Sequence, residues 1–144
     1  KIYPEKKFLL VLGWMGMLSQ EFDFKALDNV TVHPPCMDMP YIYERTRLVL
    51  IPSLVQEGFC RIQFEAAYNH IPCIASCHGA IAEFFHGNGF CLKQFQNLEV
   101  WEKALAAFEN ASVYEEAVEN CKVFDLTYSF DEQFNRFVTC IMEA

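Results

Sequence analysis

Short, uniformly apolar runs constrain the fold of this chain more than any other feature. Three such runs lie within residues 7–12, 47–51 and 72–76, and two further short strands are predicted at residues 29–33 and 89–92. A run without polar alternation predicts a strand that is buried on both faces, as in a parallel sheet. Because these runs alternate with helical segments, we expect an α/β layered domain with a parallel sheet.

Helical periodicity takes over in the last third of the chain. Apolar residues recur at helical spacing from Leu98 to Phe108. Two Ser-x-x-Glu patterns, at Ser112 and Ser129, predict capping boxes that open two further helices. The last of these helices carries its apolar residues on one side, at Phe134, Phe137, Val138 and Ile141. Earlier helices are predicted after a capping Asp38, at residues 62–69 and, less regularly, at residues 19–27.

Composition excludes several classes of protein. Of the 144 residues, 53% are apolar and 21% are charged, so the chain is not disordered. A formal net charge of −8 disfavours a protein that binds nucleic acid by neutralising phosphates. No apolar run approaches the roughly 18–20 residues that span a bilayer. Without repeats or an internal linker, residues 1–144 are expected to form a single domain with no nucleic-acid partner and a helical C-terminal tail.

Seven cysteines at irregular spacing indicate a reducing compartment rather than a disulfide framework. Four potential zinc ligands lie close together in the sequence: Cys73, Cys77, His78 and His86. Structural zinc ligands usually come in matched pairs, however, and no second pair follows. We therefore expect free thiols and no metal. The expected location is cytoplasmic, with peripheral attachment to a membrane through another domain left open.

The turn between the third strand and the next helix carries the chemistry. The strand ends at Ser53, and Glu57 and Gly58 lead into the helix that holds Glu65. The free amides of a first helical turn favour an anion such as a phosphate, and Gly58 lets a ligand approach the backbone. The two carboxylates stand at different distances from such an anion along the helix axis, so they could accept hydrogen bonds from different sugar hydroxyls. A simpler interpretation is that Glu57 complements the helix dipole and Glu65 is solvated.

Several motifs in order resemble the carboxyl-terminal domain of retaining glycosyltransferases of the GT-B fold, family 4. The matching residues are Pro52-Ser53, Glu57-Gly58-Phe59, Glu65-Ala66, Pro72–Ser76 and Gly79–Glu83. The resemblance covers nearly the whole chain. It implies a Rossmann-like donor-binding half of a GT-B enzyme, which transfers a hexose from a nucleotide-diphosphate sugar to an acceptor hydroxyl without a metal or other cofactor.

The resemblance also implies roles for individual residues. Glu65 takes the position that holds the nucleotide ribose, and Glu57 the catalytic position that meets hydroxyls of the donor sugar. The donor-binding residues of the turn are Gly58, Phe59 and Cys60, whose backbone amides face the sugar or diphosphate, together with Ser53 at the strand end. His33, after the second strand, corresponds to the region beside the nucleobase.

Departures from the family pattern leave alternatives open. Cys60 replaces a usual glycine and could crowd the ligand, and Arg61 and Ala80 are also off-pattern. A noncatalytic GT-B-like interaction domain and half of a nucleotide-sugar epimerase therefore stay as alternative hypotheses.

The chain opens at Lys1, close to its first strand, so we expect a piece of a larger protein. The diphosphate-gripping Arg and Lys and the N-terminal Rossmann-like domain would then be missing, and the fragment inactive by itself. Uncovered apolar surface near residues 8–14 or at the cleft should promote self-association.

Overall fold

The structure is a computed structural model that describes residues 3–11, 27–36 and 38–142. The chain forms two compact units, Lys1–Ile42 and Tyr43–Ala144. The described residues contain five strands, five α-helices and one 3-10 helix. The strands are β1 (Phe8–Val11), β2 (Val30–His33), β3 (Val49–Ile51), β4 (Cys73–Ser76) and β5 (Gly89–Leu92). The α-helices are α1 (Met39–Tyr43), α2 (Arg61–Tyr68), α3 (Leu98–Ala107), α4 (Ala111–Tyr128) and α5 (Phe130–Met142), and the 3-10 helix is Ala80–Phe84.

The first unit contains a parallel pair of strands. β1 and β2 run in register from Phe8 opposite Val30 to Val11 opposite His33. The side chain of Asn29 donates to the carbonyls of Tyr3 and Lys6, both at 2.9 Å, and so fixes the segment before β1. Both predicted strands are confirmed.

Most of the remaining predictions for this unit fall on residues outside the described ranges. The possible helix at residues 19–27 lies almost wholly there, as do residues 12–14 of the proposed self-association surface. Self-association stays a prediction.

The second unit is built on a three-stranded parallel sheet with β4 in the middle. All four residues of β4 are buried, which explains why this strand reads as a continuous apolar run. Ile74 of β4 packs in one core cluster with Ala104 of α3 and Ala117 of α4. The prediction of an α/β fold, with parallel strands, flanking helices and a helical tail, is confirmed.

A second core cluster of aromatic rings joins α2 to α4. Phe64 and Phe124 meet edge to face with ring centroids 5.1 Å apart, and Phe84 and Tyr128 pack against them. Aromatic residues make up 15% of the chain, and some of them bury large apolar areas in this cluster. This cluster fixes α2, whose first turn directly follows the candidate ligand-binding turn at residues 57–60.

One predicted helix cap is wrong and the other is confirmed. α4 begins at Ala111, and the Asn110 side chain accepts from the Ser112 amide at 3.0 Å, so Ser112 lies inside the first turn. Asparagine is at least as good a cap as serine, and it stands in the earlier position. Between α4 and α5, the Ser129 hydroxyl accepts from the Glu132 amide at 3.3 Å, as the second pattern predicts.

The final helix leaves its apolar side uncovered in the described part of the chain. No residue of α5 is buried, and Phe134, Phe137 and Ile141 are all more than half exposed. Within the described ranges, no helix is both long enough and apolar enough to cross a bilayer.

Candidate functional site

The loop between β3 and α2 is held where it leaves the sheet. The buried Ser76 hydroxyl, at the end of β4, lies 2.7 Å from the Ser53 carbonyl and 3.3 Å from the Ile51 carbonyl. The Ser53 hydroxyl donates to the Val55 carbonyl at 3.2 Å and so stabilises the loop itself. Ser76 therefore connects the carboxyl ends of β3 and β4 at the place where the loop begins.

Gly79 determines where Glu57 lies. The two residues form a single parallel bridge, and the Ala80 amide donates to the Glu57 carbonyl at 2.9 Å. Gly79 has a φ of 61°, and a Cβ added to it would stand 2.6 Å from the Glu57 carbonyl oxygen. The backbone after β4 therefore packs directly on the backbone of Glu57, in a way that only glycine permits.

The turn itself is open on its Gly58 side. A Cβ built at Gly58 meets no atom within 4 Å, so a ligand has free access to this backbone. Phe59 is 57% exposed, and its ring packs on Phe64 with centroids 4.6 Å apart. The amides of residues 58–60 directly precede α2 and lie at the positive end of its dipole, which favours an anion.

Of the two possibilities that the sequence left open for Cys60, the structure favours a side chain that does not crowd the turn. Its φ is −93°, an ordinary value, and the residue is 1% exposed, so its side chain lies in the protein interior. Burial, followed by the charge and hydrogen bonding of Glu57, raises the pKa of the Cys60 thiol to about 11. The lowering that a helix N-terminus usually produces is outweighed, because the thiolate would lose its water.

Glu65 is held by two hydrogen bonds. The Tyr43 hydroxyl donates to Oε2 at 2.8 Å, and the Arg61 Nε donates to Oε1 at 2.9 Å. The side chain of Glu65 is 29% exposed, so it is not the fully solvated helix residue of the simpler interpretation. Burial, and next the hydrogen bond to Glu65, raise the pKa of Tyr43 well above its usual range, so this hydroxyl keeps its proton and donates.

Six of the predicted site residues fall in one stretch of the second unit: Ser53, Glu57, Gly58, Phe59, Cys60 and Glu65. His33 belongs to the first unit, where its Nδ1 lies 2.8 Å from the Pro34 carbonyl at the end of β2. His78 stacks on Phe95 with ring centroids 5.5 Å apart. In the described part of the chain, no three His, Cys, Asp or Glu side chains are grouped to hold a metal ion.

Three further residues position the site, although no role in it was predicted for them from the sequence. Tyr43 orients Glu65 from 22 residues away, and Ser76 and Gly79 act on Ser53 and Glu57 across the sheet. For Gly79, a glycine just after a buried strand was the available sign of a close backbone approach. Tyr43 offered no such sign.

A parallel α/β fold with a polar, partly open turn beyond a strand end defines a Rossmann-like domain with a candidate ligand site at the expected edge of the sheet. The family model of group 1 glycosyl transferases matches residues 17–123, about three quarters of the chain. The chain belongs to this family. No curated protein matches it. The family match supports the predicted GT-B carboxyl-terminal domain and includes the whole segment from Ser53 to Glu65.

Gly79→Ala should destabilise the second unit by about 1–3 kcal/mol, because the new Cβ collides with the Glu57 carbonyl at a strained φ. Gly58→Ala is the matched control, since it meets open space and should change stability by less than about 1 kcal/mol. Urea denaturation followed by circular dichroism measures both. Equal midpoints for the two variants would show that the contact between Gly79 and Glu57 does not constrain the fold.

Cys60 should resist alkylation in the folded protein. Its pKa is raised to about 11, so the thiol stays almost fully protonated well below that pH. Alkylation of Cys60 should become appreciable only as the pH approaches 11. The exposed Cys140 is the control and should react at pH 8. Iodoacetamide labelling, read by mass spectrometry of the digested protein, gives both rates. Labelling of Cys60 as fast as Cys140 at pH 8 contradicts the burial described above.

Proposed function

We propose that this chain binds the nucleotide-diphosphate sugar donor of a retaining glycosyltransferase of family 4 with the GT-B fold. In this reaction a hexose passes from the donor to an acceptor hydroxyl with its anomeric configuration kept. The observation that carries the proposal is an open turn at Gly58 between two glutamates. The backbone of Glu57 is bridged to Gly79, and the carboxylate of Glu65 on α2 is held by Tyr43 and Arg61.

Glu65 is suited to bind the ribose of the donor. Each of its carboxylate oxygens already accepts one hydrogen bond, from Tyr43 or Arg61. An ionised carboxylate has about four lone-pair sites, so each oxygen can accept one more. The two hydroxyls of a ribose present a matching pair of donors. The existing contacts orient the carboxylate before the donor arrives, which lowers the entropic cost of binding.

The open turn is suited to bind the diphosphate and the sugar. The amides of Gly58, Phe59 and Cys60 offer donors at the positive end of α2, and no side chain at residue 58 blocks them. Glu57 would accept hydrogen bonds from sugar hydroxyls, and we assign it to orientation of the sugar rather than to nucleophilic attack. Ser53 would support the edge of this pocket, and the assignment of His33 to the nucleobase stays a prediction from the family resemblance.

Stabilisation of the leaving diphosphate would supply most of the catalysis. As the glycosidic bond breaks, negative charge grows on the diphosphate oxygens, and fixed amide donors stabilise it without reorganisation. The scheme uses no metal and no cofactor other than the donor itself. The second Rossmann-like domain of the GT-B architecture would bind the acceptor.

The first test concerns the ribose contact. Glu65→Gln should weaken donor binding by about 1–3 kcal/mol, the loss expected for hydrogen bonds to a charged group. Glu132→Gln on α5 is the matched control, because Arg136 holds Glu132 at the same 2.9 Å and i,i+4 spacing as Arg61 holds Glu65. Calorimetric titration of the intact protein with a nucleotide-diphosphate sugar measures both. Donor affinity of Glu65→Gln within twofold of wild type removes Glu65 from the site.

The second test concerns the sugar contact. Glu57→Ala should lower turnover by more than it lowers affinity for the nucleotide diphosphate alone, since the partner of Glu57 is the sugar. Initial rates with donor and acceptor are compared with calorimetric titrations of the same protein. If affinity for the plain nucleotide diphosphate falls as far as turnover, Glu57 binds the diphosphate and the assignment fails. If wild-type protein binds no nucleotide diphosphate, the noncatalytic alternative replaces the whole proposal.

A further inference from the structure

Two cysteines meet at the carboxyl ends of β4 and β5, beside the candidate site. Cys91 lies in β5 opposite Ala75 of β4, and Cys77 directly follows β4. The Cys77 amide donates to the Leu92 carbonyl at 2.9 Å, so the parallel ladder continues as far as residue 77.

The register puts both thiols on one face of the sheet. Side chains two residues apart in a strand share a face, so Cys77 points to the same side as Ala75 and therefore as Cys91. The thiols are close enough to interact: burial, and next a hydrogen bond with Cys77, raise the pKa of Cys91 to about 12. Both residues are partly exposed, whereas Cys60, Cys73 and Cys121 are buried.

We propose that Cys77 and Cys91 are a modification site, where a low-molecular-weight disulfide such as oxidised glutathione converts the two thiols into a reversible disulfide. The two residues lie on adjacent strands, share a face and are both reachable from solvent, which the three buried cysteines are not. The register places Cys77 beside Lys93, two residues past Cys91, so the segment after β4 must move back along β5 to bring the two Cβ atoms to the separation of about 3.8 Å that a disulfide needs.

Thiol–disulfide exchange with the small disulfide would form the bond in two steps. The Cys77 thiolate attacks one sulfur of the small disulfide, whose S–S bond breaks and releases one thiolate, leaving a mixed disulfide on Cys77. Cys91 then loses its proton, slowly because its pKa is raised, and its thiolate attacks Cys77 Sγ, so that the protein disulfide forms and the second small thiolate leaves. The two protons lost by the protein thiols end on the two released thiolates. Two protein thiols are oxidised, and one small disulfide is reduced to two thiols.

The disulfide would act on the turn that holds Glu57. Only His78 separates Cys77 from Gly79, whose backbone packs on Glu57 without room for a Cβ. A shift of residues 77–79 along β5 therefore displaces the bridge between Gly79 and Glu57 or breaks it. This consequence rests on the proposed function: if the turn binds the donor, oxidation weakens donor binding.

The first experiment detects the bond itself. The reduced protein is equilibrated in glutathione buffers of increasing oxidised fraction, quenched in acid, alkylated and digested for mass spectrometry. A crosslinked peptide that contains Cys77 and Cys91 should appear and disappear again with dithiothreitol. Cys77→Ser and Cys91→Ser should each abolish it, with Cys91→Ala as a second variant if serine disturbs β5. Cys36→Ser and Cys140→Ser are the matched controls and should leave it unchanged.

The second experiment measures the consequence. Oxidised wild-type protein should bind a nucleotide diphosphate at least about fivefold more weakly than reduced protein, at the low end of typical coupling between sites. Cys91→Ser should keep the reduced affinity in both buffers. Glutathione adducts without the crosslink, or a crosslink between other cysteines, overturn the site. A crosslink without a change in affinity overturns only the coupling to Glu57. Absence of nucleotide binding in both states refutes the proposed function and leaves the disulfide result standing.

Discussion

The contact between the backbones of Gly79 and Glu57 is the constraint on which the candidate site depends. β4 is the central strand and is buried along its whole length, so its carboxyl end is among the most firmly placed points of the second unit. The bridge to Glu57 extends that placement to a turn that would otherwise be a free surface loop. A site built this way is rigid on its Glu57 side and open at Gly58, which suits a ligand that must be held in one orientation.

The carboxylate of Glu65 is positioned mainly by its hydrogen bond with the neutral Tyr43 and less by its ion pair with Arg61. The Arg61 side chain is 81% exposed, and an ion pair with so solvated a cation contributes little free energy. Tyr43 is buried, and its hydroxyl keeps its proton, so its hydrogen bond to a carboxylate is a charge-assisted contact in a protected place. The orientation of Glu65 therefore depends mainly on Tyr43.

The strands could be predicted from sequence, whereas the contacts that shape the site could not. Burial on both faces leaves an unbroken apolar run, so β4 and β5 were located within one residue. The turn from Glu57 to Cys60 was located by its place after such a run. The pairing of Glu57 with Gly79 joins residues that only the folded sheet brings together, and no periodicity encodes it. The prediction of a helix cap at Ser112 was wrong for a local reason, because Asn110 caps the helix two residues earlier and binds the Ser112 amide.

Cys60 shows how a departure from a family pattern can be absorbed by the fold. A glycine at this position would matter if the backbone needed a positive φ or if a side chain had to be absent from the ligand side. Neither condition holds, since φ is −93° and the thiol is directed into the interior. Residue 60 therefore gives no reason to regard the site as degenerate, and the case for donor binding depends on Glu57, Glu65 and the open backbone at Gly58.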